Sequence, residues 1–320
     1  MIKLLLIIII DLFFILYFKN ISRFINIFDF PDNKRKIHTT EVASIGGVLI
    51  FLNIIFSYLL LKNESYIYDV DFTLIFFCFL FFLIGLIDDK FTINHNIKLM
   101  IFVVLTFLFL KIDSKLINNI NFSFHETKDL GKYSLIFSIF CIVVFINALN
   151  MFDGINFQSA IYSTFIFSIF ITNNFYALLS FSVILSLIFF LYLNYKNLCF
   201  LGDNGTILLG FLISALFVKS SHQQLFYADE ILLIMLIPGI DLIRLFISRI
   251  LEKNNPFKPD KNHFHHLMLN KFGLYKSNII LFALIIFPYI IAKILNMFLI
   301  MIILSIIVYI FIYMRMKQKI

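Results

Sequence analysis

The sequence predicts an all-α, polytopic membrane protein, a bundle of about 11 transmembrane helices, and three observations predict it. Of 320 residues 61% are hydrophobic, against roughly 45–50% in a soluble domain. Phenylalanine alone occurs 44 times, and mean hydropathy is +0.98. Apolar runs near the ~20 residues that cross a bilayer core recur along the whole chain, leaving no room for a separate soluble domain. Residues 1–320 are therefore expected to form a single membrane-embedded domain. Cys78, Cys141 and Cys199 lie in or beside apolar runs without CxxC spacing, which speaks against a disulfide framework or zinc knuckle and for packing. The net charge of +7 is scattered over loops rather than gathered in one block. That argues for membrane orientation and against a nucleic-acid partner.

Met1 to Phe18 has the look of a secretory signal, with Lys3 ahead of an apolar run, but no small-residue cleavage site follows. It reads as a retained first span. Lys19, Arg23, Lys34, Arg35 and Lys36 follow it, which places the next loop in the cytoplasm and the amino terminus outside. Further spans are expected at Ser44–Leu61, Phe72–Ile87, Ile97–Leu110, Tyr133–Leu149, Phe157–Thr172, Phe175–Leu193, Thr206–Val218, Glu230–Ser248, Asn278–Ile294 and Met297–Met314. This threading puts seventeen basic residues inside and eight outside, with Arg244 within the ninth span, and leaves the carboxyl terminus cytoplasmic. Asp11, within the first span, either faces the bundle interior or marks a shorter span.

The same threading sorts the polar residues, and every chemically suggestive segment falls inside. Pro31 to Gly47 offers Lys34, Arg35, Lys36 and His38 to phosphate and ends in Gly46-Gly47, where backbone can come close. At Leu83 to Lys90 an apolar run ends in Asp88 and Asp89, acids placed where lipid gives way to water. In NALNMFDGIN, Asn147, Asn150 and Asp153 recur at intervals of three, which puts them on one helix face. In FLGDNGT, Asp203 stands between two glycines that permit a tight turn around a ligand or metal.

The longest inner loop carries His263, His265 and His266. Three histidines point to zinc at first sight. No cysteine joins them and the spacing is not that of a zincin, so phosphate contact or proton handling is expected instead. Carboxylates, amides, histidines and bases, without a catalytic thiol or serine triad, suit an oxygen-rich Mg2+ site handling phosphate beside a lipid. Asp88 and Asp89, about 100° apart on a helix, are expected to divide labour, one near the metal and one near the acceptor phosphate.

Taken in order, PDNKRKIH followed by GG, GLIDD, NALNMFDG, FLGDNGT, and Pro238 and Asp241 leading to PFKPDKNHFHH resemble the polyprenyl-phosphate N-acetylhexosamine-1-phosphate transferase family, relatives of the phospho-N-acetylmuramoyl-pentapeptide transferases. The resemblance implies a helical bundle with a cytoplasmic active site in a bacterial inner membrane. It implies transfer of a sugar 1-phosphate from a UDP-N-acetylhexosamine to a polyprenyl (undecaprenyl) phosphate, releasing UMP, as a first membrane step of cell-envelope glycan synthesis. Mg2+ would assist, with Mn2+ able to replace it, and a homodimer is admitted. Carried over by motif, Asp88 and Asp89 look like the catalytic pair, Asp203 and Asn150 like metal ligands, and Lys36, His38, Asn147, Asp153, His263, His265 and His266 like substrate contacts.

Where many relatives read DGxDG, this chain has Asn156 and Phe157, so a second carboxylate and a glycine are missing. HFHH resembles the hexosamine branch more than the peptidoglycan branch, which favours N-acetylglucosamine or a related amino sugar. Rival readings fit less well. A prenyltransferase or CDP-alcohol phosphotransferase needs further motif residues that are absent near Asp88 and Asp153, and a transporter needs mid-span polar residues that are sparse here.

Overall fold

The computed structural model of the chain describes residues 2–31, 40–61, 71–253 and 263–317. Thirteen helices dominate it: α1 (Ile2–Leu16), α2 (Phe18–Ile25), α3 (Gly46–Leu61), α4 (Phe72–Phe91), α5 (His95–Asp113), α6 (Ser134–Phe152), α7 (Gln158–Thr172), α8 (Ala177–Tyr195), α9 (Gly202–Ser221), α10 (Ala228–Leu251), α11 (Phe264–Phe272), α12 (Leu274–Leu295) and α13 (Phe298–Lys317). By length and composition eight of these are long and apolar enough to cross a membrane, α1 and α2 form a pair bent by 73°, and α3 and α7 are shorter apolar helices. The protein is a polytopic, nearly all-helical membrane protein. It divides into two compact units: Met1–Lys115 with Ile139–Phe217, and Leu116–Ser138 with Val218–Ile320.

In the first unit α9 is the core helix, buried along nearly its whole length. Its neighbours approach it through glycines. A Cβ on Gly85 of α4 would stand 2.3 Å from the Asn204 Cα, and one on Gly47 of α3 would stand 2.4 Å from the Gly205 nitrogen. Neither position admits a side chain, so α3 and α4 lie against the first turn of α9 at backbone contact. Deeper in, the Phe211 ring stacks on Phe81 at 4.3 Å and meets Phe109 edge-on at 5.1 Å, tying α4 and α5 to α9. α8 packs on α1, α3 and α7.

Short extended segments hold the first turn of α9. β1 (Phe28–Asp29) pairs antiparallel with β2 (Val42–Ala43). The Phe200 amide donates to the Ala43 carbonyl at 2.8 Å, and the Gly46 and Gly47 amides donate to the carbonyls of Phe200 and Leu201. Asp11 faces the interior: it is fully buried, and its Oδ1 accepts from Asn53 Nδ2 of α3 at 2.6 Å.

In the second unit α10, α12 and α13 pack on one another, with α11 against α12 and α13. Leu233, Leu236, Ala292, Phe298 and Ile302 form their buried core. The hairpin of β3 (Asn119–Ile120) and β4 (Lys128–Asp129) precedes α6, and Asn121 and Ser123 beyond β3 bond to the start of α10.

Candidate active site

α4 stays helical through both acids and ends at Phe91. Asp88 and Asp89 therefore point in different directions and take different partners. Asp88 Oδ2 lies 2.5 Å from Lys98 Nζ, and its Oδ1 accepts from the Ile93 amide at 2.7 Å. Asp89 reaches across to α9: Oδ1 accepts from the Asp203 amide and Oδ2 from the Asn204 amide, both at 2.9 Å, and Asn204 Nδ2 also donates to Oδ2. These amides are among the unpaired donors that open every helix, and a carboxylate there also suits the helix dipole.

GDNGT is consequently the start of a helix rather than a tight turn around a ligand. Only Gly202 is turn-like, with φ of +73°, while Asp203 sits in the first turn of α9. The cap comes from another helix, which local sequence cannot show. Asp203 Oδ1 accepts from Asn150 Nδ2 at 2.7 Å and its Oδ2 accepts from Lys98 Nζ at 3.0 Å, while Asn150 Nδ2 also reaches Thr206 Oγ1 at 2.8 Å. The cluster thus comprises Asp88, Asp89, Lys98, Asn150, Asp203, Asn204 and Thr206.

Asn147 stands one turn earlier on α6 and donates to its own helix at the Val143 carbonyl, 2.7 Å away. Asp153 departs from the expected helix face, because α6 ends at Phe152, just ahead of Gly154. Burial raises its carboxyl from 3.8 to about 7. Beyond it, the amide of Phe157 donates to Asn194 Oδ1 at 2.9 Å and Asn156 Nδ2 donates to Asn197 Oδ1 at 2.6 Å. Phe157 has φ of +74°, a left-handed conformation that costs an L residue roughly 1–2 kcal/mol. The chain bends here as a glycine would, although it carries none at this position. Cys199 is buried, which pushes its thiol up to about 12 and keeps it inert.

In the second unit His263, His265 and His266 gather at the start of α11. The rings of His263 and His265 stack at 5.1 Å, and His265 and His266 meet at 4.4 Å. Burial, then the neighbouring His266 and His263, holds His265 well below 6.5 and keeps it neutral. Asp241 of α10 stands beside them, with Arg244, Tyr309 and His263 around its carboxylate. Lys36 and His38, like Lys34 and Arg35, lie outside the described residues.

The site residues expected from sequence do not include Lys98, Asn204, Thr206 or Tyr309, and Arg244 stands there only as a charge within the ninth span. One signal for Lys98 was available: a lysine set among Ile97, Leu99 and Met100 of an apolar helix is costly in lipid unless paired. Read as an orienting charge, it concealed its role as a buried counter-ion.

Three carboxylates against one ammonium leave the first cluster with two negative charges when all are ionised. Its donors are hard oxygens, and Lys98 already stands as a cation between Asp88 and Asp203. Both features fit a divalent ion such as Mg2+. The nitrogen-rich second cluster does not have that character.

Residues 72–221, which hold every member of the first cluster, match the family model described as glycosyl transferase family 4. The resemblance read from the five motifs is borne out by relatives named undecaprenyl-phosphate alpha-N-acetylglucosaminyl 1-phosphate transferase. That of Thermotoga maritima is 37% identical over 82 residues, 26% of this chain and 27% of its own length. That of Salmonella typhi is 28% identical over 153 residues, 44% of this chain and 42% of its own length. That of Haemophilus influenzae is 34% identical over 98 residues, 28% of either chain. The chain thus matches less than half the length of each of these relatives.

Proposed function

We propose that this chain, whose residues 72–221 match glycosyl transferase family 4, transfers a sugar 1-phosphate from a UDP-N-acetylhexosamine to a membrane polyprenyl phosphate, with N-acetylglucosamine as the favoured sugar. The observation that carries this reading is the Asp88–Lys98–Asp203–Asn150 cluster, a hard-oxygen set at helix ends inside the matched stretch. The relatives' names supply the chemistry: undecaprenyl phosphate as acceptor and N-acetylglucosaminyl 1-phosphate as the group moved.

In the proposed step an acceptor phosphate oxygen attacks the β-phosphorus of the UDP-sugar. The bond from that phosphorus to the bridging oxygen breaks, and UMP leaves with the electron pair, giving a polyprenyl-diphospho-sugar. Asp203 and Asn150 would hold Mg2+, or Mn2+ in its place, which when bound offsets the negative charge of the diphosphate. Asp88 orients the acceptor phosphate, and the ammonium of Lys98 limits repulsion between that phosphate and the carboxylates. Asp89 serves the metal side by fixing the backbone of Asp203. Lys36, His38, Asn147, Asp153, His263, His265 and His266 are assigned to the substrate's phosphates, nucleotide and sugar.

Among the described residues eight helices are long and apolar enough to cross a membrane, nine if the bent pair is one span; the eleven crossings proposed here require the two shorter apolar helices, α3 and α7, to cross as well. The excess of basic residues on alternate loops then favours an amino terminus outside and the active site in the cytoplasm of a bacterial inner membrane, with residues 1–320 acting as one transferase domain. The test uses full-length protein in detergent with undecaprenyl phosphate, Mg2+ and a panel of UDP-sugars. UMP and a lipid-linked sugar should form in equal amounts, fastest with UDP-N-acetylglucosamine. Absence of a lipid-linked product from every UDP-sugar would overturn the assignment.

A further inference from the structure

Asp241 is held from one side. Its Oδ1 accepts from Arg244 Nη2 at 2.7 Å and from the Tyr309 hydroxyl at 3.1 Å, while Arg244 lies over the Tyr313 ring at 4.5 Å. Oδ2 faces His263 Nδ1 at 3.1 Å, and the Phe264 amide is shared between the two oxygens. His265 is only 2% exposed, and its Nε2 is buried without a hydrogen-bond partner among the described residues. A buried polar atom left so is unfavourable unless a ligand satisfies it. Ligand atoms of Asp241, His263 and His265 all lie within 4.8 Å of one another.

We propose that Asp241, His263 and His265 form a binding site for a divalent transition ion of the Zn2+ class. Two imidazole nitrogens and one carboxylate oxygen suit zinc and its neighbours, whereas Mg2+ takes oxygens. With metal–ligand bonds of about 2.0–2.1 Å, tetrahedral ligands stand about 3.3 Å apart, close to the 3.1 Å between Asp241 Oδ2 and His263 Nδ1. Arg244 and Tyr309 act as the outer partners that orient a ligating carboxylate. The guanidinium's like charge is kept on Oδ1, leaving Oδ2 for the ion. Three protein ligands leave a tetrahedral ion one open position for water or a phosphate oxygen. The motif read from sequence runs from Asp241 to the histidines, and the fold brings the Asp241 carboxylate of α10 to His263, 22 residues further along the chain.

The site shares His263 and His265 with the substrate contacts assigned above, an ion there meeting a substrate phosphate through its open position, and its test reads metal rather than turnover. Full-length protein in detergent is stripped with chelator, loaded with Co2+, freed of excess ion and measured by metal analysis and visible absorption. Wild type should keep about one equivalent per chain, with the intense band of a tetrahedral nitrogen–oxygen site, and Zn2+ but not Mg2+ should displace it. His265→Gln should lose the band and the bound metal, and His263→Gln should repeat this if the first variant misfolds. Tyr309→Phe should weaken binding about tenfold. Asp203→Asn should bind Co2+ as wild type does, so that failure of this site and failure of the transferase reading separate. A wild type that keeps no Co2+ or Zn2+, or an unchanged band in both histidine variants, would overturn the proposal.

Discussion

Lys98 Nζ lies 3.0 Å from Oδ2 of Asp203, a residue 105 positions further along the chain. The same ammonium holds Asp88, so the ends of α4 and α9 are joined through one side chain near the start of α5. Lys98→Met removes the charge and leaves two carboxylates facing each other. Breaking a buried pair from one side costs about 3–5 kcal/mol, so the melting temperature in detergent should fall and turnover with it. Lys98→Arg should recover much of the stability. A Lys98→Met protein with wild-type melting and turnover would contradict this role.

Asp88 and Asp89 should not be interchangeable, because their partners differ. Asp88→Asn should lower kcat by about 10²-fold, the order for a lost acid–base or orienting group, with KM for the UDP-sugar little changed. Asp89→Asn keeps one acceptor oxygen for the first turn of α9 and loses the charge. It should raise the Mg2+ concentration needed for half-maximal activity as well as lower kcat. Kinetics of both variants across a Mg2+ series decide, and identical profiles would remove the distinction.

Gly85 admits no Cβ against α9, whereas a Cβ on Gly239 in α10 would meet nothing within 4 Å. Gly85→Ala should therefore destabilise by at least the roughly 1–3 kcal/mol of an overpacked core, and should reduce activity by displacing Asn204. Gly239→Ala should be neutral or stabilising by up to about 1 kcal/mol. Thermal unfolding of the two variants beside wild type checks the contrast.

Burial raises the Asp153 carboxyl to about 7 in the folded protein, from an ordinary value of 3.8. The folded state thus holds the proton more tightly than the unfolded one. The stability this contributes is complete below about pH 4 and is lost as pH rises toward 7, where the folded carboxyl ionises. Asp153→Asn should flatten that part of the stability–pH curve, measured as melting temperature from pH 4 to 8. An unchanged slope in the variant would remove Asp153 as its source.

Thr127 and Lys196 are both exposed and fall on opposite sides of the proposed threading. A cysteine at Thr127 should react with an impermeant thiol reagent in intact cells, and one at Lys196 only after permeabilisation. The reverse pattern would invert the orientation.

Membrane residence and helix positions were legible in the sequence because burying apolar side chains in lipid depends on composition along one dimension. Each expected span from Ser44–Leu61 to Met297–Met314 has its helix, and the motifs marked Asp88, Asp89, Asn150 and Asp203 as the polar residues worth following. What tertiary structure alone decided is which polar group meets which. Asp89 caps α9 from 114 positions away, Lys98 bridges two acids, Asn53 answers Asp11, and Asp241 joins His263. In a low-dielectric interior each such group must find a partner. The partner is whichever residue packing brings within 3 Å or so, and nothing in a residue's own neighbourhood along the chain records it.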